Sequence, residues 1–347
     1  MKTEGIVVSK ILIIKPSALG DIVHTLPFLA ALRKRFPAAE IHWLVARELS
    51  PFLEGHPLLD RLWIFERKRW RNLARLGRTF RELLALRAAL RREKFSVSVD
   101  LSGLLRSGLL TWAAGAALRL GFKDSNEGSS IFYNRKIPGD MSIHAVDRYL
   151  KFAGFLGCDI SEVDFPFAPY DKTPPVMASL PGRYAVMVPS AGKEANRWPA
   201  ERFGRLAARL ALPVVLLGSA GDAVVTAEVA RFSEGWAIDL AGKTSLKELL
   251  PLIEKAVFMV TNDTGPMHIA AALQVPVYAI FGPANPDRTG PYWARHTVIR
   301  SGAVCSPCYR WKPCDNWRCM EEISVEQVAE IIKGKEFRIQ NSGEMLG

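Results

Sequence analysis

Residues 11–36 read ILIIKPSALGDIVHTLPFLAALRKRF. The run from Ile11 to Ile14 is short, apolar and β-branched apart from Leu12, the composition of a strand covered on both faces. Lys15-Pro16-Ser17-Ala18-Leu19-Gly20 then turns the chain. From Ile22 to Phe36 the apolar residues recur at helical spacing until Pro37 stops them. A buried strand that passes through a tight turn into a helix is half of a βαβ unit. Whether that unit recurs decides the fold.

It recurs on both sides of a proline-rich stretch. Residues 41–45 and 62–65 read as strands, 70–94 as a long Leu- and Arg-rich helix and 95–101 as a strand. Residues 107–118 read as a buried helix and 144–156 as another helix. Pro166, Pro169, Pro174, Pro175 and Pro181 then interrupt all periodicity, which marks residues 161–182 as a linker. Beyond it, strands at 184–188, 214–217, 258–261 and 277–281 alternate with helices at 199–210, 223–232, 246–256 and 267–273. The expected fold is α/β, with two Rossmann-like doubly wound domains at 1–160 and 183–322 facing across a cleft. The helix within residues 323–347 is expected to pack back on the first domain.

Composition agrees. A chain of 347 residues with 49% hydrophobic content sustains two cores, and 23% charged residues leave no room for extended disorder. No apolar run approaches the ~20 residues of a membrane-spanning helix, and the amino terminus lacks a signal-peptide core. The cytoplasm is the expected compartment. The net charge is +11. Arg67, Lys68, Arg69, Arg71 and Arg75 begin a basic run that continues to Lys94, a field that draws polyanions such as acidic lipid or a phosphorylated substrate. A solvated helix face fits the same run. No nucleic-acid-binding signature accompanies it, so nucleic acid is not an expected partner.

Three strand-to-helix turns could carry chemistry. The first holds Ser17, Gly20 and Asp21. Gly20 lets the backbone turn tightly, and Asp21 at the helix start either caps it or projects into the crevice to accept a proton. The second holds Asp263, Thr264, Gly265 and His268, with Pro266 suited to a first helical position. Free amides at that helix start suit phosphate, and Asp263 could hold a sugar or ribose hydroxyl. The third contains Ser190, Ala191, Lys193 and Arg197, donors placed where a leaving diphosphate would build charge. A capped turn is the plain reading of the second, and a solvated loop with Trp198 as a staple that of the third. Neither a dinucleotide fingerprint nor a P-loop is present.

In combination and order these turns resemble glycosyltransferase family 9, the lipopolysaccharide heptosyltransferases, over nearly the whole chain. The segment from Lys15 to Pro27 is similar to that family's opening motif. Arg197-Trp198-Pro199, the segment from Leu240 to Leu246, and Asn262-Asp263-Thr264-Gly265 with His268 are similar to its donor-side motifs. Lys68-Arg69-Trp70-Arg71, the segments Asp100 to Leu104 and Phe132 to Lys136, and His144-Ala145-Val146-Asp147-Arg148 resemble the heptosyltransferase I branch. The resemblance implies a GT-B fold and inverting transfer of L-glycero-D-manno-heptose from ADP-heptose to a Kdo sugar of Kdo-lipid A. It also implies that no metal is obligatory. It makes Asp21 the general base, gives Thr264 and Gly265 the diphosphate and Asp263 and His268 the donor, and puts Thr244 near the adenine. Many members carry Lys where this chain has Asn196, so Lys193 or Arg197 inherits the phosphate contact. An anionic acceptor at the inner face of the cytoplasmic membrane explains the basic field, and Arg69, Arg71, Arg106, Arg135 and Lys136 are expected on the acceptor side. Rival readings are heptosyltransferase II or III or another core-sugar transferase, a non-catalytic binder of nucleotide sugar or lipopolysaccharide, and a sugar-nucleotide epimerase.

The cysteines stand apart from these turns. Cys305-x2-Cys308-x5-Cys314-x4-Cys319 is compact, and Cys158 is solitary. In a reducing compartment the cluster is either a structural zinc site or a set of reduced thiols.

Overall fold

The computed structural model describes residues 7–66 and 76–343. They divide into two compact units, Met1–Pro169 and Tyr170–Gly347, and the division falls within the proline-rich stretch. The basic positions 67–75, which include Arg69 and Arg71, lie outside the described residues.

The first unit is a six-stranded parallel sheet in the order β3-β2-β1-β4-β5-β6. Its strands are β1 (Lys10–Ile14), β2 (Glu40–Ala46), β3 (Arg61–Phe65), β4 (Val97–Asp100), β5 (Leu118–Phe122) and β6 (Arg135–Ile137). β1 lies at the centre, with Ile11 in register with Ile41 on one side and Val97 on the other. Its four apolar residues are fully buried, because helices cover both faces of a parallel sheet.

Helix Leu19–Arg35 starts three residues earlier than the periodicity suggests. That moves Asp21 from the cap to the third helical position, where its carboxylate reaches back to the Ala18 N–H at 3.0 Å. The stretch 107–118 also differs from expectation. It splits into helix Leu105–Ala114 and the start of β5, because Gly115 closes the helix in the left-handed conformation at φ 71°. That helix is not fully buried either, since Leu109 and Trp112 face outward. The Arg-rich helix is described over Leu76–Arg92.

The second unit repeats the plan as β12-β11-β10-β7-β8-β9. Its strands are β7 (Ala185–Val188), β8 (Val214–Leu216), β9 (Ala237–Asp239), β10 (Met259–Asn262), β11 (Val277–Ile280) and β12 (Thr297–Ile299). Met259 pairs with Val186 and Val277, which makes β7 and β10 the central pair. The carboxy-terminal helix Val325–Gly343 places Val325, Val328, Ala329 and Ile332 in this unit's own core. Side chains beyond 335 lie outside the described residues, as would any packing of the tail on the first unit.

Candidate functional site

In each sheet the chain leaves the central strand in one direction and later returns to its other side. The carboxyl ends of the two strands flanking that reversal open a crevice that ligands use. In the first unit these strands are β1 and β4; in the second they are β7 and β10.

The β1/β4 crevice is an open cavity of about 80 Å³ lined by Lys15, Pro16, Ser17, Asp21, Ser102, Leu104, Arg106 and Ser107. Lys15, the first residue past β1, is buried. Its ammonium donates to the Leu101 carbonyl at 3.0 Å and to the Tyr149 hydroxyl at 2.8 Å, and lies 3.3 Å from Asp21 Oδ1. Tyr149, from helix Ala145–Phe155, donates its hydroxyl to the same Oδ1 at 3.0 Å. Both Asp21 oxygens therefore have partners within the protein, while 39% of the side chain stays open to the cavity.

Burial alone would raise the Asp21 carboxyl. The Lys15 ammonium, the Ala18 N–H and the Tyr149 hydroxyl outweigh it and hold the group below the ordinary carboxylate range. Burial and the neighbouring Asp21 charge push Tyr149 up to about 12, so its hydroxyl stays a donor. The far wall rests on Asp100, which is fully buried. It accepts from the Ser102 and Gly103 amides at 2.8 and 3.2 Å and from the Tyr133 hydroxyl at 2.7 Å. These contacts fix the turn that presents Arg106.

Of the acceptor-side residues expected from sequence, Ser17 and Arg106 line this cavity with Asp21. Gly20 is buried in the first helical turn. Arg135 and Lys136 are exposed on the edge strand β6 and do not line the cavity. Tyr149 was not among the expected residues. The motif His144 to Arg148 ends immediately before it, but its role does not show in the sequence, because only the packing of its helix on Leu19–Arg35 brings it to Asp21.

At the β7/β10 crevice Asn262 ties two turns together. Its Oδ1 accepts from the Trp198 N–H at 3.0 Å, and its Nδ2 donates to the Pro189 carbonyl at 2.7 Å. Trp198 is buried in the core and its indole N–H donates to Ile323, so it anchors the loop from within rather than stapling a solvated turn. Asn196 donates to Asp263 Oδ2 at 2.9 Å, and Arg197 Nε donates to the Ala191 carbonyl at 2.9 Å. Arg197 thus closes its own loop, whereas the Lys193 charge acts on Asp263. Burial pushes the Asp263 carboxyl up to about 6, and Lys193 only partly opposes the rise.

Thr264 is the N-cap of helix Gly265–Ala272 in extended backbone, and its side chain makes no capping hydrogen bond. Pro266, which has no N–H, lies in the first turn, and the Met267 amide donates to the Thr264 carbonyl at 3.2 Å; the amides of Thr264 and Gly265 are the ones left without an intrahelical partner. His268 is buried in the same turn and Ser190 is buried in the β7 loop. Thr244 follows β9, two strands beyond β7. Its turn is fixed at Gly242, whose φ is +72° and whose Cβ would stand 2.9 Å from Ala220 Cα, so only glycine fits there.

Among the described residues, Glu40, His42 and Glu93 form a further group with metal-like ligand spacing. They lie at the opposite ends of the strands from the cavity. The Lys10 ammonium is 2.9 Å from both carboxylates and supplies the positive charge. Trp63 donates to His42 Nδ1 at 3.1 Å, which leaves the hydrogen on Nε2, facing Glu40. A ring nitrogen carrying hydrogen is no ligand.

Residues 83–317 match the family model described as glycosyltransferase family 9 (heptosyltransferase). Lipopolysaccharide heptosyltransferase 1 of Escherichia coli K12 is 29% identical over 298 residues, covering 84% of this chain and 93% of that protein. The solved structure of E. coli heptosyltransferase WaaC with ADP has a TM-score of 0.76 at 25% identity, over 94% of this chain and 99% of that one. E. coli ADP-heptose lipopolysaccharide heptosyltransferase II has a TM-score of 0.74 at 25% identity, over 95% and 99%. The two doubly wound units are those of the GT-B fold.

Proposed function

The chain belongs to glycosyltransferase family 9, the heptosyltransferases, and on that premise we propose that it transfers heptose from ADP-heptose to a Kdo sugar of Kdo-lipid A. The observation that carries this reading is the Asp21 carboxylate, kept ionised by Lys15 and Tyr149 yet open to a cavity that also presents Ser17 and Arg106. A hydroxyl of the acceptor enters that cavity and donates its hydrogen bond to Asp21. As the hydroxyl oxygen attacks the anomeric carbon, its proton passes to Asp21 and ADP departs with the bonding pair, inverting the centre. A carboxylate held low is always ionised near neutral pH but is a weak base. Proton transfer therefore runs late, once the attacking oxygen has become acidic.

The second unit holds the donor. The amides around Thr264 and Gly265 take the diphosphate and the Lys193 ammonium neutralises charge on the leaving ADP. Asp263 and the buried His268 orient the sugar, and Thr244 lies toward the adenine. Lys193 takes the role that falls to Lys at position 196 in many relatives, because Arg197 is engaged by Ala191.

An anionic, membrane-held acceptor fits the outer face of helix Leu105–Ala114. Leu105, Leu109 and Trp112 are exposed there, and Arg87 and Arg91 lie over the Trp112 ring at 4.9 and 6.0 Å. Apolar side chains rimmed by arginines suit the acidic cytoplasmic leaflet. No helix among the described residues is long and apolar enough to cross a membrane.

Mass spectrometry of the reaction with ADP-heptose tests the proposal. Kdo-lipid A should gain one heptose. Product only from an already heptosylated core would move the chain to the heptosyltransferase II type, and product from neither would end the reading.

A further inference from the structure

The segment 300–317 follows β12 without a helix or strand of its own. It is unusually rich in exposed apolar surface: Val304, Tyr309 and Trp311 are all exposed. A stretch of this length without a core needs another device to keep one conformation.

The chain supplies four sulfurs for that device. Cys308 and Tyr309 donate their backbone amides to the Pro283 carbonyl at 3.1 and 2.8 Å, which seats the middle of the segment at the end of β11. From the other side Cys319 reaches the same point. Its sulfur lies 3.3 Å from where a Cβ on the neighbouring Gly282 would stand. Cys319 is buried and Cys314 half-buried, while Cys305 and Cys308 are exposed; none is in a disulfide. The Ser306 hydroxyl donates to the Gly282 carbonyl at 2.5 Å, which holds the adjacent Cys305 at the same turn. No three of these sulfurs share the mutual 4.8 Å spacing of the Glu40, His42 and Glu93 group.

We propose that Cys305, Cys308, Cys314 and Cys319 bind one thiophilic divalent ion as a closed tetrathiolate site. Four soft thiolates select zinc or iron over the hard cations, and binding releases the thiol protons to solvent. With every coordination position taken by protein the ion has no opening for substrate, so its role is to fold the segment.

What the segment braces is the donor loop. Trp317 Nε1 donates to the Ala195 carbonyl at 3.0 Å, and the Ala195 amide donates to the Trp311 carbonyl at 3.1 Å. The Lys193 ammonium sits over the Trp311 ring, 5.2 Å from its centroid. Two tryptophans of the cysteine segment thus hold the residue before Asn196 and the side chain of Lys193. This consequence rests on the donor reading given above, but the metal site does not.

The test is elemental analysis of the full chain purified without chelator, with thiol alkylation under native conditions. The expected result is about one zinc or iron ion per chain with only Cys158 left unligated. Either ion at that ratio sustains the proposal. Cys305→Ser and Cys314→Ser should each lose the ion, while Cys158→Ser keeps it. Stripping the ion should lower the melting temperature, and adding Zn2+ alone should restore it. Separately, the stripped protein should show a raised KM for the donor with kcat changed far less. Metal-free wild-type protein that takes up no Zn2+ and whose four clustered thiols alkylate freely would overturn the proposal, whatever its activity.

Discussion

Asp21 and Asp263 each stand past a strand at their sheet's reversal, Asp21 in the first turn of the helix after β1 and Asp263 in the turn after β10, and their chemistry diverges. Asp21 has a buried ammonium, a phenol and a backbone amide directed at its two oxygens, and it is held below the ordinary carboxylate range. Asp263 has one neutral amide, from Asn196, and a more distant lysine, and burial lifts it to about 6. The fold provides the place; a close buried cation sets the charge of the one, and burial that outweighs a more distant cation sets that of the other. Environments that separate two carboxylates in this way assign them different work. The permanently ionised one suits proton acceptance from a sugar hydroxyl. The one that is readily neutralised suits a position beside an anionic diphosphate.

The contrast can be broken from either side. Lys193→Ala removes the cation that acts on Asp263. A hydrogen bond to a charged group is worth about 1.5–3 kcal/mol, so KM for the donor should rise about 10- to 100-fold while acceptor affinity stays put. Steady-state kinetics with each substrate varied would reveal this, and a rise in acceptor KM alone would contradict it. Lys15→Met strips the first site of its charge. The acid limb of kcat/KM should then move to higher pH by about 1–3 units, the usual effect of one close opposite charge. Tyr149→Phe should move the same limb the same way by less, since the ammonium remains.

The smallest effects concern stability and have opposite signs. The folded-state pKa of Asp263 lies above its unfolded value of 3.8, so between 3.8 and about 6 the native chain binds the extra proton. Its stabilisation is complete below that window and is lost as pH rises through about 6. Asp263→Asn should therefore raise the melting temperature at pH 7.5 and leave it nearly unchanged at pH 4. Asn196→Lys should flatten the same slope by pairing the carboxylate. Asp21 behaves in reverse: its folded pKa is depressed, so its contribution is present above 3.8 and fades as pH falls through the folded value. Asp21→Asn should lower the melting temperature at neutral pH and lose that difference in acid. Thermal denaturation of the three variants across pH 3.5 to 8 checks all of this together.

Much of this was legible in the chain, and the boundary has physical causes. The strands buried on both faces announced themselves as continuous apolar runs, and β1, β7, β10 and β11 lie where those runs are. β5, β6, β9 and β12 escaped because edge or near-edge strands of three to five residues carry no period of their own. Gly115 hid the change from helix to strand within one apolar stretch. At the sites, residues on a strand's own turn could be read, among them Asp21, Lys193, Asp263 and Thr264. Tyr149 could not, because it comes to Asp21 across 128 positions through helix packing. Asp100 shows the same limit. Its segment was legible as part of a family motif, but its role as a buried anchor for the Arg106 turn exists only in three dimensions.

The account stands most directly on the Asp21 carboxylate, and a single-turnover comparison of wild type with Asp21→Asn addresses it. The variant keeps the size of the side chain and its acceptance from Ala18 while removing the charge. Its affinity for ADP-heptose should match wild type, and its chemical step should slow by about 10²- to 10⁴-fold, the usual contribution of a positioned base. A variant that transfers heptose at close to the wild-type rate would contradict the assignment.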